Sequence, residues 1–201
     1  MEKALVIFLH GVGSNGEDLA PLGRHWSNIL PDVAFASPDA PFAFEQGAGF
    51  QWFSLVGVTP ENRPARVRAA RGAFDDALMR IMADHGMANR WDKVVLAGFS
   101  QGAIMALDTL ASGRWPLAGV VAFSGRLSYE GALTPHPHTP ALLVHGHADD
   151  VIPWTETDSA ALRLKSANVP TETQFEPTTG HTISGQGARR AATFIAQCLQ
   201  D

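Results

Sequence analysis

Short apolar runs alternate along this chain with longer stretches of helical period. The runs Ala4–Leu9 and Val33–Ala36, and residues 94–97, 120–123 and 141–144, are rich in valine, leucine, alanine and phenylalanine. They lack the strict every-second-residue alternation of a strand with one wet face, so they predict parallel strands buried on both faces. Residues 171–175 are more polar and predict an edge strand. Between them, residues 65–85 place Val67, Ala70, Phe74, Leu78, Ile81 and Met82 three and four positions apart, with arginines and aspartates on the other side. That is the period of an amphipathic helix, and further helices are predicted to begin near Gln101, Thr155 and Gly187. Strand and helix in alternation predict an α/β fold in which helices cover a mostly parallel sheet. Two segments break the rhythm. Residues 42–67 carry Phe42, Phe44, Phe50, Trp52 and Phe53 among glycines; this reads equally well as a loop folded back on the core or as the wall of a substrate pocket. Residues 134–140, with three prolines, predict a rigid extended connection.

Composition narrows the function classes. At 201 residues, 45% hydrophobic and 17% charged, the chain is expected to form a single domain over residues 1–201. Fifteen basic against twenty acidic residues give a formal charge of −5 with no basic stripe, which argues against nucleic acid as a partner. The one cysteine, Cys198, excludes an intrachain disulfide and a cysteine-built zinc site. The first apolar run is shorter than the core of a secretory signal, and no run approaches eighteen apolar residues. A cytoplasmic protein without stable membrane insertion is expected.

In an open α/β sheet, ligands bind beyond the carboxyl ends of the strands. After the third main run stands Gly98-Phe99-Ser100-Gln101-Gly102. A nucleophilic serine must project from a tight strand-to-helix turn, and glycines two residues to either side let neighbouring backbone pass closely. After the first run, His10-Gly11-Val12-Gly13-Ser14-Asn15-Gly16 contains a literal G-x-G-x-x-G. A dinucleotide loop is one reading, which would make the chain a nicotinamide-dependent oxidoreductase. Glu17 and Asp18 stand where a pyrophosphate would meet the helix, and Pro21 disturbs the helix that should begin there. The favoured reading has Val12 and Gln101 offering backbone N–H groups to an oxyanion, with His10 orienting the loop through hydrogen bonds. After the fifth run, His145-Gly146-His147-Ala148-Asp149-Asp150 invites a metal reading, yet a binuclear hydrolase would want another histidine where Asp150 stands. No metal and no cofactor are therefore expected. The alternative is that Asp149 or Asp150 supports a catalytic histidine. For that base, His181 in Gly180-His181-Thr182 is the one histidine between the last strand and the last helix, and Ser100, aspartate, His181 is the chain order of α/β-hydrolases.

These segments give the chain a resemblance to the phospholipase/carboxylesterase family of α/β-hydrolases, which includes acyl-protein thioesterases and small bacterial carboxylesterases. The resemblance spans essentially the whole length. It implies an α/β-hydrolase fold, selects Asp149 over Asp150, and implies an oxyanion hole at Val12 and Gln101. It also likens Phe50, Trp52 and Phe53 to the family's aromatic segment beside the acyl pocket. Members often carry an acidic residue at the place of His147 and proline at that of Asp150. The expected activity is hydrolysis of a small-molecule ester with a short to medium acyl chain through an acyl-enzyme on Ser100. A lysophospholipase, an acyl-protein thioesterase and a non-catalytic binding module are the alternatives, and exposed aromatics fit a homodimer interface as well as a substrate entrance.

Overall fold

A computed structural model of the chain describes residues 4–200. The expectations placed on the first three residues and on Asp201 lie outside the described residues. Six parallel strands make the central sheet: β1 (Ala4–Leu9), β2 (Val33–Ala36), β5 (Val94–Phe99), β6 (Gly119–Phe123), β7 (Ala141–Gly146) and β8 (Thr171–Glu176), in the spatial order β2-β1-β5-β6-β7-β8. A small antiparallel hairpin, β3 (Phe42–Ala43) and β4 (Phe50–Gln51), stands apart from it. The helices are α1 (Ala20–Trp26), α2 (Arg63–Asp84), α3 (Gln101–Ser112), α4 (Trp154–Ser166) and α5 (Gly185–Cys198).

The unbroken apolar runs have the cause the pattern predicts. Along β1, Leu5, Ile7 and Leu9 enter a core shared with α2, α3 and α4, while Val6 and Phe8 enter a second core against Trp26 and α5 residues Phe194 and Ile195. Both faces are covered, so every position of the strand is apolar and buried. Strand β8 pairs on one side only, as the polarity of its sequence predicts. Helix α3 is buried along almost its whole length, behind the sheet's centre.

Two features depart from the sequence pattern. Pro21 does not prevent a helix: α1 begins at Ala20 with proline in its first turn, where the missing N–H costs nothing. The aromatic segment forms β3 and β4, two-residue strands too short to leave a period in the sequence. The order of the large sheet reverses between β1 and β5, because the chain leaves β1 towards β2 and returns on the other side. Adjacent strands therefore send their following loops apart at this place, which opens a crevice at their carboxyl ends.

Candidate active site

Ser100 sits between β5 and α3 with φ 53° and ψ −115°, a conformation that side-chain-bearing residues rarely adopt. Its neighbours make the turn possible. A Cβ at Gly102 would lie 2.0 Å from the Leu9 carbonyl oxygen, and one at Gly98 would lie 2.4 Å from that of Gly102. Hydrogen at Gly102 lets the start of α3 press against the end of β1, and hydrogen at Gly98 lets the end of β5 pass under the first turn of α3. The Ser100 N–H donates to Phe123 O at 3.0 Å and ties the turn to β6.

The fold brings Ser100, His181 and Asp149 together from three separate loops. His181 Nε2 lies 3.0 Å from Ser100 Oγ, and His181 Nδ1 lies 2.7 Å from Asp149 Oδ2. The other carboxylate oxygen of Asp149 accepts the N–H groups of Val151 and Ile152, both at 2.9 Å. Burial works to raise the Asp149 pKa, but the His181 hydrogen bond and those two amides outweigh it and hold the group below the usual carboxylate value. An ionised Asp149 fixes the proton of neutral His181 on Nδ1 and leaves Nε2 free to accept from the serine hydroxyl. Asp150 is exposed. The geometry thus brings Asp149, and not its neighbour, to His181.

The other two histidines of the possible metal motifs are used differently. His145 is buried beneath Asp149; its Nδ1 is 2.7 Å from Thr157 Oγ1 and its Nε2 is 2.8 Å from Ile152 O and 3.1 Å from Asp149 Oδ2. Burial lowers its pKa, against the backbone and carboxylate contacts that raise it. His147 packs its ring on Trp154 and Phe175 at centroid distances of 4.7 and 5.5 Å. Among the described residues no group of three or more histidine, cysteine, aspartate or glutamate side chains is placed to hold a metal ion.

The loop after β1 is braced from several directions. His10 is buried, with Nε2 accepting the Ala40 N–H at 2.9 Å and Nδ1 2.7 Å from Gly11 O. Burial lowers its pKa too. Gly16 N–H, one of the amides a pyrophosphate would need, already donates to Asp39 Oδ1 at 2.8 Å, and only a short 3-10 turn, Gly16–Asp18, follows it. Val12 lines a cleft of about 510 Å³ together with Ser100 and His181. Leu19, Phe99, Val151 and Ile183 give the cleft apolar walls, and Asp18 adds a carboxylate to its lining. Gln101 opens α3, at a position where a helix has no internal partner for its N–H.

Phe50, Trp52 and Phe53 do not line this cleft. Phe50 is half-buried in β4, while Trp52 and Phe53 belong to the core, with Trp52 edge-on to Phe74 and its indole N–H donating to His10 O at 2.9 Å. These large apolar rings find more burial under the loops than beside the open cleft. The backbone of the same segment holds the site from below. Phe50 O accepts the Gly13 N–H and Phe50 N donates to Ser14 O, both at 2.8 Å. Gln101 Oε1 accepts the Trp52 N–H and Gln101 Nε2 donates to Phe53 O, both at 2.7 Å. The pattern of the sequence carries no sign of this use of the Gln101 side chain, because it joins residues 48 and 49 positions apart.

Comparison with known proteins agrees with this architecture. A model of the phospholipase/carboxylesterase family matches residues 1–199. The chain is 31% identical over 195 residues to Esterase YpfH of Escherichia coli K12, covering 96% of this chain and 82% of that one. It is 27% identical over 216 residues to Acyl-protein thioesterase 1 of Neurospora crassa, covering 98% and 87%. The crystal structure of esterase PE8 superposes with a TM-score of 0.85 at 33% identity, covering 98% of this chain and 93% of that one.

Proposed function

The chain belongs to the phospholipase/carboxylesterase family of α/β-hydrolases, and from that membership and the geometry of its cleft we propose that it is a serine hydrolase cleaving carboxylic esters through an acyl-enzyme on Ser100. The observation that carries the reading is the chain of contacts Ser100 Oγ, His181, Asp149 at 3.0 and 2.7 Å, opening into an apolar cleft. His181 Nε2 takes the hydroxyl proton as Ser100 Oγ attacks the acyl carbonyl. The N–H groups of Val12 and Gln101 stabilise the tetrahedral oxyanion. His181 then gives its proton to the leaving oxygen as the bond to the acyl carbon breaks. Water, deprotonated by the same imidazole, attacks the acyl-enzyme and releases the acid and free Ser100. Asp149 remains ionised throughout, holding the imidazole in place and stabilising the imidazolium.

The substrate proposed is a small ester with a short to medium acyl chain. The apolar walls favour a hydrocarbon arm, and a cleft of about 510 Å³ suits a drug-sized or smaller ligand better than a long lipid. Among the described residues no helix is long and apolar enough to cross a membrane. Rates of hydrolysis across p-nitrophenyl esters from acetate to palmitate are expected to peak between butyrate and octanoate. Faster turnover of palmitate, or of a palmitoyl thioester, would move the assignment to a lysophospholipase or an acyl-protein thioesterase.

A further inference from the structure

The two proposed oxyanion donors come from different elements, Val12 from the loop after β1 and Gln101 from the start of α3. An oxyanion hole works only if both N–H groups already converge on the place where charge develops, so something must fix their separation. Close packing does part of this, through Gly102 against Leu9. It fixes the elements but not the Val12 loop, which carries three glycines between residues 11 and 16.

We infer that residues 50–53 form a bracket that sets the oxyanion hole, and that the side chain of Gln101 is the positioning residue through which it grips α3. The bracket touches both halves of the hole. On one side, Phe50 exchanges backbone hydrogen bonds with Gly13 and Ser14, the residues just after Val12. Gly49, at φ 84°, lies so close that a Cβ there would meet Gly13 O at 2.4 Å. On the other side, the Gln101 carboxamide spends its acceptor on Trp52 N–H and a donor on Phe53 O, both at 2.7 Å and both buried. A third tie, Trp52 Nε1 to His10 O, anchors the bracket to the end of β1. One four-residue segment is therefore bonded to the residues that follow one donor and to the side chain of the other. Gln101 supplies its backbone N–H to the oxyanion and its side chain to the part that holds that N–H in register. The bracket touches neither substrate nor the reacting atoms.

This inference rests on the acyl-enzyme reading, and its test separates the two. A trans-cinnamoyl acyl-enzyme, isotope-labelled at the carbonyl and held at low pH where deacylation is slow, reports the strength of the hole through its carbonyl stretch. Gln101→Met keeps the length of the side chain and leaves Trp52 N–H and Phe53 O without their partner. Its carbonyl band is expected to move towards that of a free ester, with kcat lowered about tenfold and KM within about twofold, less than the ~10²–10³ of losing a donor outright. Gln101→Glu, which keeps an acceptor for Trp52, is expected to lie between the two and serves if the methionine variant does not fold. Arg71→Met, which breaks the paired hydrogen bonds to Asp108 away from the cleft, is expected to lose stability while keeping the wild-type band and kcat. Bands that coincide in wild type and both Gln101 variants overturn the inference while leaving the acyl-enzyme intact. Absence of any acyl-enzyme on wild type overturns the reading of Ser100 itself.

Discussion

Ser100 carries backbone strain that the proposed nucleophilic role accounts for. A non-glycine residue held at φ 53° and ψ −115° costs about 1–3 kcal/mol, which packing around the turn must offset. Ser100→Gly is expected to be more stable than Ser100→Ala by about 1 kcal/mol, since glycine relieves the conformation while both lose the hydroxyl. Urea unfolding of the two variants checks this. At Asp149, replacement by asparagine keeps the size but offers His181 a donor or a neutral acceptor, and kcat is expected to fall by about 10³–10⁴ with the fold intact. His10 and His145 contribute to acid stability. Burial depresses both folded pKa values below 6.5, so between the folded and unfolded values the unfolded chain binds more protons. Their contribution is full above pH 6.5 and is lost as pH falls below it. Denaturant midpoints measured from pH 8 down to pH 5.5 are expected to decline, and a flat profile would contradict the neutral, buried assignment. At this scale the sequence was informative where the chemistry is local, as in the glycines around Ser100. It left Asp149 and Asp150 open until the resemblance chose between them, because only the folded loop turns one carboxylate inward and leaves the other in water. It was silent on the Gln101 side chain.

Elements that carry a continuous pattern of apolar positions are legible in the sequence, and those too short or too irregular to carry one are not. Helix α2 follows from its helical period, and the buried strands follow from their unbroken apolar runs, because both of their faces are covered. Helix α1 was obscured by Pro21, although proline in a first turn is compatible with a helix. The hairpin β3–β4 is obscured by the aromatic residues around it, which read equally as a loop folded back on the core or as a pocket wall; Trp52 and Phe53 are core, and the backbone beside them is the bracket. The contact of α3 with β1 is among the closest backbone approaches in the fold. Gly102→Ala would place a methyl group within 2.0 Å of Leu9 O, so α3 must shift away from β1. The expected cost is about 1–3 kcal/mol or more, read as a lowered urea midpoint, together with a fall in kcat as Gln101 moves out of line with Val12.

The whole molecule converts a topological feature into a site. The reversal of strand order between β1 and β5 brings the Val12 loop and the Ser100 turn side by side, and β7 and β8 deliver Asp149 and His181 from the far side. Helices on both faces keep the sheet dry, so the sequence announces the fold through apolar runs, whereas the cleft forms from loops that carry no period. We propose that residues 1–201 behave as one cooperative unit, since both cores share the same sheet; fluorescence and circular dichroism are expected to report a single coincident transition. The central claim, that Ser100 is an activated nucleophile, is tested most directly by intact-mass analysis after exposure to a fluorophosphonate, with wild type and Ser100→Ala side by side. The account predicts one adduct on wild type and none on the variant. A folded wild type that gains no adduct, or a Ser100→Ala variant that gains one, would contradict it.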